Sequence, residues 1–215
     1  TGNAVIGGAI TGLTTLSVSG TSSIGANITT SSTQGYTGAM TLTGSSATRT
    51  LQGTTITASS TIAGGANSLT ITGNAIFNGA VTGVTNLSVS GTTSLGADIT
   101  TTGTQTYIGA FTISGGDRVL TATGNAILFS STINSDATLT PRSLTISAGS
   151  GNTTFSGAIG ATYALNALRV NGTVTMGDNI TTAGTQNFTG NVIISGANVN
   201  LSSMGNSGTG ATITF

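Results

Sequence analysis

Ile28-Thr29-Thr30-Ser31-Ser32-Thr33-Gln34-Gly35-Tyr36-Thr37-Gly38-Ala39-Met40-Thr41-Leu42 is the stretch that decides the fold, because the chain spells it three times. The second copy runs from Ile99 to Ile113 and the third from Ile180 to Ile194. All three keep Ile-Thr-Thr, then Thr-Gln, then an aromatic (Tyr36, Tyr107, Phe188), a glycine (Gly38, Gly109, Gly190) and two apolar residues spaced i, i+2. Internal repetition of this kind is the mark of a repeat architecture, and it outranks local propensity.

Outward from the cassette the similarity extends over the whole chain. Three superrepeats cover residues 1–71, 72–149 and 150–215. Each opens on Gly-Asn (Gly2-Asn3, Gly73-Asn74, Gly151-Asn152). The segment Leu16-Ser17-Val18-Ser19-Gly20 is matched by Leu87-Ser88-Val89-Ser90-Gly91 and by Leu168-Arg169-Val170-Asn171-Gly172. The third superrepeat carries three extra residues near Tyr163. The second is about seven longer between its glutamine and the next Gly-Asn, and insertions of that size belong in loops.

Within the superrepeat the unit is apolar-x-apolar-x-Gly, ending at Gly20, Gly44, Gly73, Gly91, Gly115, Gly172 and Gly196. Such alternation places apolar side chains on one face of a strand and Thr or Ser on the other. The β-branched Thr, Val and Ile favour extended backbone, and the closing glycine permits a turn. The segment from Tyr163 to Val170 comes nearest to helical periodicity, but it aligns with strands elsewhere. Many short strands with a recurring period suit an antiparallel sandwich or a β-solenoid. Repetition favours the solenoid, in which equivalent strands of successive coils lie in register. The expectation is one all-β domain, a right-handed parallel β-helix of about nine to twelve coils with 18 to 24 residues per coil. Its length would be ~45–60 Å at ~4.8 Å per coil. Thr and Ser should face outward and Ile, Leu, Val, Phe and Tyr inward. Tyr36, Tyr107 and Phe188 should fill the interior at one angular position, three or four coils apart.

Composition narrows the function. Ser and Thr make up about a third of the 215 residues and glycine accounts for 34, with one proline and no Cys, His, Trp, Lys or Glu. Disordered chains are rich in charge and proline, whereas this one has 36 % apolar residues in regular alternation. Four Arg (Arg49, Arg118, Arg142, Arg169) balance four Asp (Asp98, Asp117, Asp136, Asp178). Scattered cations at net zero charge supply no patch for nucleic acid. Zinc and redox sites need Cys or His. No apolar run approaches the ~18–20 residues of a membrane span.

The run Ile99 to Ile113, and Gly73-Asn74-Ala75-Ile76-Phe77-Asn78-Gly79-Ala80-Val81, resemble the repeat regions of large bacterial surface and secreted adhesins, the filamentous-haemagglutinin-like and autotransporter-passenger proteins. The resemblance covers nearly the whole chain. It implies a right-handed parallel β-helix and a stalk or spacer outside the cell or on its surface. The amino-terminal secretion domain and carboxy-terminal barrel of complete family members have no counterpart in this stretch.

No motif carries chemistry. Gly115-Gly116-Asp117-Arg118 is the densest polar cluster, but it lacks the tandem Gly-Gly-x-Gly-x-Asp array of calcium-binding solenoids and reads as a turn with a local Asp117–Arg118 contact. A glycosidase needs two carboxylates ~5–10 Å apart. Here each Asp is alone in sequence, and Asp98 and Asp178 look like turn residues of a repeated coil. Serine without His or Lys has no base to activate it. Gly205-Asn206-Ser207-Gly208-Thr209-Gly210 lacks the lysine and helix of a phosphate loop. Asn3, Asn74 and Asn152 suit an internal amide ladder at a coil corner. Thr-x-Thr recurs at Thr41, Thr55, Thr70, Thr138, Thr173 and Thr212, which raises an ice-binding face against the plainer account of outward threonines flanking a core residue.

The expected function is therefore structural: a component of an extracellular bacterial fibre or adhesin stalk, associating with itself end to end or laterally, with no enzymatic activity, cofactor or metal. The first and last residues lie inside the repeat pattern with no polar cap, which predicts a section of a longer chain or a stacked subunit. A glycan- or surface-binding adhesin module is the alternative, and its cue would be a cluster of exposed aromatics. An ice-binding protein is the third reading.

Overall fold

The computed structural model describes residues 2–137, 139–205 and 211–215, and it is an all-β structure without a helix among them. Every strand pairing is parallel. The strands stack in three columns, so each coil is a triangle and the molecule is a β-solenoid of about ten turns. The first face is started by Ala4–Ile6 and continues through Ser22–Ile24 and Met40–Leu42. The second is started by Ile10–Leu13 and continues through Ile28–Thr30 into Thr48–Ala58. The third is started by Leu16–Val18 and continues through Thr33–Tyr36, again into Thr48–Ala58. Long strands such as Thr48–Ala58 and Leu144–Phe155 bend round a corner and serve two faces.

The basic rung is eighteen residues, the offset that pairs Ala4 with Ser22, Ser22 with Met40, Leu87 with Gln105 and Leu168 with Gln186. Longer spacings, such as Leu144 with Leu168, carry loops that leave the rung and return to it. The expected range of 18 to 24 residues per coil thus starts at the bare rung and takes in some of the turns that carry loops.

The superrepeats run out of phase with the faces. Ala4, Ala75 and Thr153 occupy equivalent positions in the three superrepeats. Ala4 lies on the first face, Ala75 on the third and Thr153 on the second. One superrepeat therefore spans eleven strand positions, three full turns plus two faces. The expectation of one angular position for Tyr36, Tyr107 and Phe188 is corrected accordingly: Tyr36 stacks under Ala58 on the third face, Tyr107 on Val89 on the second, and Phe188 on Val170 on the first. The fold tolerates this because its three walls are near-equivalent. Each presents the same alternation of buried and outward residues to the same central space.

That space is filled by Ile, Leu, Val, Met and seven of the nine aromatics. Tyr107, Phe129 and Phe155 form a ladder down the second face, with ring centroids 5.1 and 5.6 Å apart, and Phe111 meets Tyr107 and Phe129 edge-on. Offset stacks and edge contacts at these separations are the favoured arrangements of aromatic pairs. The interior is not purely apolar, contrary to the expected division. Thr30, Thr101, Thr182, Gln34, Gln105, Gln186 and four other Ser and Thr residues are buried within it, and so is Asn67.

Candidate functional site

Two features stand out from the regular rungs: a buried polar corner written by each cassette, and a cleft on the side wall where the repeat is broken.

In the corner, Ile-Thr-Thr ends one face and Gln-x-Tyr (or Gln-x-Phe) begins the next. The second threonine turns inward and donates its hydroxyl to a carbonyl two residues on: Thr30 to Ser32, Thr101 to Gly103, Thr182 to Gly184. The glutamine amide then donates to a carbonyl of the next coil. Gln34 reaches Gln52 at 2.7 Å, Gln105 reaches Thr121 at 2.8 Å and Gln186 reaches Ser202 at 2.8 Å. The tyrosine two residues on closes the network, its phenol donating to the glutamine Oε1 at 2.8 Å for Tyr36 and 2.9 Å for Tyr107. Burial raises both phenols well above the ordinary tyrosine pKa. In the third copy Phe188 has no hydroxyl, and the Oε1 of Gln186 is left buried without a donor. The glutamine is invariant among the three copies, but repetition alone assigns it no role. Its spacing of i, i+2 from the aromatic was the available signal. The network ties coil to coil and exposes no reactive group.

The acidic residues serve the backbone. Asp98 accepts from the Val119 amide at 2.9 Å and Asp117 from Ser143 at 2.7 Å, in each case from the next coil. The equivalents of Asp98 are Asn27 and Asn179, which accept in the same way from Thr50 and Asn200. Asp178 stands one position off and takes the amide of Asn179 instead. Asn3 and Asn74 accept from Thr21 and Thr92, while Asn152 donates to Thr154 and Thr175. They lie on different faces many turns apart, so no amide ladder forms among them. Gly115 to Arg118 is a turn, as expected. Arg118 binds the carbonyls of Ser114 and Asp117 rather than the Asp117 carboxylate. Arg49 holds the carbonyl of Thr43 in the same manner. No group of three metal-ligating side chains occurs among the described residues. No helix there is long and apolar enough to cross a membrane.

The Thr-x-Thr pairs flank buried Leu42, Ile56, Ile71 and Val174, and they fall on different faces. The longest outward rank of hydroxyls, Thr50, Thr70, Ser88 and Thr106, is interrupted by Leu128. Thr138 and Asn206 to Gly210 lie outside the described residues.

The cleft lies on the third face, lined by Thr112, Asn134, Ser135, Asp136, Thr162 and Tyr163, with a volume of about 280 Å³. Asp136 accepts from the Gly115 amide and pairs with Arg142 at 3.0 Å. Partial burial pushes its carboxyl up, but these two donors outweigh that and hold it below the ordinary carboxylate value. Tyr163 is the only aromatic exposed on a side wall among the described residues; Phe215, the other exposed one, stacks on Phe188.

By its fold the chain belongs to the class of parallel β-solenoids. No family model, no curated protein and no solved structure matches it.

Proposed function

We propose that the chain is a structural component of an extracellular bacterial fibre or adhesin stalk, a stiff rod that associates with itself laterally or end to end. The observation that carries this reading is the use of polar groups. Glutamine, asparagine and aspartate side chains are spent on joining one coil to the next. Two of the four cations bind main-chain carbonyls and a third pairs with Asp136. What remains on the walls is mostly uncharged Ser and Thr, so little long-range repulsion opposes side-by-side packing. Strand edges of the first and last described coils can accept a further layer, from the same polypeptide or from a second copy.

Electron microscopy of the purified chain at rising concentration, with diffraction from aligned material, tests the proposal. Fibres or rafts with an axial reflection at ~4.8 Å are expected, since coils then stack along the fibre axis. Discrete rods ~50 Å long that stay monodisperse at millimolar concentration would contradict it.

A further inference from the structure

Two of the places where the repeat is broken are brought together. Seven residues separate Ile62 from Leu69 in the first superrepeat, and eleven separate the equivalent Ile133 from Leu144, so four extra residues enter the loop 136–143. The three extra residues of the third superrepeat enter the loop 160–167. Both loops leave the corner after the third face in successive turns; Asp136 of the first and Thr162 and Tyr163 of the second line the 280 Å³ cleft together with the strand residues Thr112, Asn134 and Ser135.

The cleft is held in shape before anything enters it. Asn134 points outward from its strand, and its Oδ1 accepts the amides of Thr162 and Tyr163 at 3.0 and 3.2 Å. The carbonyl of Tyr163 accepts from the Ser135 amide at 3.0 Å. Tyr163 is thus fastened on both sides of its backbone while its side chain is 42 % exposed. In the same cleft, Asp136 is fixed by Gly115 and Arg142, and the Arg142 amide is itself held by the Ser135 hydroxyl at 3.0 Å. In a chain with eight formal charges, Asp117, Arg118, Asp136 and Arg142 gather around this corner, joined through Gly115 and Ser143.

An exposed aromatic ring on a held backbone, beside a carboxylate and hydroxyls, is the chemistry that takes a polyhydroxylated ring. The apolar C–H face of the ligand packs on the tyrosine, and its hydroxyls exchange hydrogen bonds with the anion and the polar rim. The geometry points to a binding site for a neutral hexose unit in this cleft, on the side of the rod and independent of whether the rod assembles into fibres. The volume suits one ring, and the shallow walls imply weak affinity per site. Repetition along a fibre would then raise the total by avidity.

The test is NMR titration with the methyl glycosides of glucose, galactose, mannose and N-acetylglucosamine, and methyl glucuronide as the anionic control. At least one neutral glycoside is expected to show saturable transfer from the protein, with a midpoint of order ~1 mM. Tyr163→Ala should weaken it at least about tenfold and Asp136→Asn should weaken it measurably, with the thermal midpoint of folding held in the tyrosine variant. If alanine disturbs the 160–167 loop, Tyr163→Leu decides, since it keeps bulk without a flat face. No saturable binding by any neutral glycoside, equal binding after loss of the ring, or preference for the glucuronide would overturn the assignment.

Discussion

At the scale of the residue, the three cassettes are a natural substitution series. Gln34 and Gln105 have every polar atom engaged, whereas Gln186 lacks the phenol that its counterparts use. Removing a buried donor strands its acceptor, which costs about 1–3 kcal/mol. Tyr107→Phe is therefore expected to destabilise by that amount, and Phe188→Tyr to stabilise by about 1 kcal/mol, both read from urea midpoints at constant slope. A null result for both would mean that the glutamine does not depend on the phenol. The same two phenols predict an alkaline limit. Unfolding exposes groups that ionise near pH 10, while in the fold they stay protonated well above it. Stability is complete below pH 10 on this account and falls above it by about 1.4 kcal/mol per pH unit for each phenol. Denaturant titrations at stepped pH should show the slope halved in Tyr36→Phe.

At the scale of the element, the glycines at the coil corners do two kinds of work. Gly73 and Gly172 have positive φ, as a turn glycine should. Gly91 and Gly109 do not, and yet a Cβ on Gly109 would collide with the backbone of Gly91 and Thr92 one coil below. Their role is to let the corners of successive coils approach closely. Gly109→Ala should force the layers apart and cost about 1–3 kcal/mol. Gly35→Ala, in open space on a strand, should be neutral or slightly stabilising. Paired thermal melts of the two variants measure the difference, and equal effects would remove the packing argument. Strands and their inward faces were legible in the sequence because alternation with period two is a direct imprint of a wall with one side buried. The corner network was half legible. Repetition singled out Gln34, Gln105 and Gln186, but a glutamine normally faces water, and only the meeting of two strands at a corner makes an interior carbonyl available to it.

At the scale of the whole molecule, the repetition that identified the solenoid also misled about its rotation. Eleven strand positions per superrepeat do not divide by three faces, and nothing in a sequence period states the number of walls. Face count follows from the eighteen-residue rung, in which three short strands and three corners close a triangle. The irregular spacings of 22 to 27 residues hid that rung, because loops were added to some turns and not to others. The side-wall cleft was invisible for a related reason. Its parts come from three successive turns, the strand residues Thr112, Asn134 and Ser135 and the loop residues Asp136, Thr162 and Tyr163, placed side by side only by coiling, and Tyr163 aligns poorly with any strand residue.

Because the chain has no cysteine, register can be read by introducing pairs of them. Ser88 and Thr106 are register partners facing outward on the second face, whereas Thr29 and Thr100 are equivalent in the superrepeat but sit on different faces. A disulfide needs Cα atoms about 4.4–6.8 Å apart, a condition that neighbouring parallel strands meet. Under mild oxidation, the pair Ser88→Cys with Thr106→Cys is predicted to bridge within one chain, and the pair Thr29→Cys with Thr100→Cys to remain free. Failure of the first pair to bridge, or bridging of the second, would contradict a three-faced solenoid with an eighteen-residue rung.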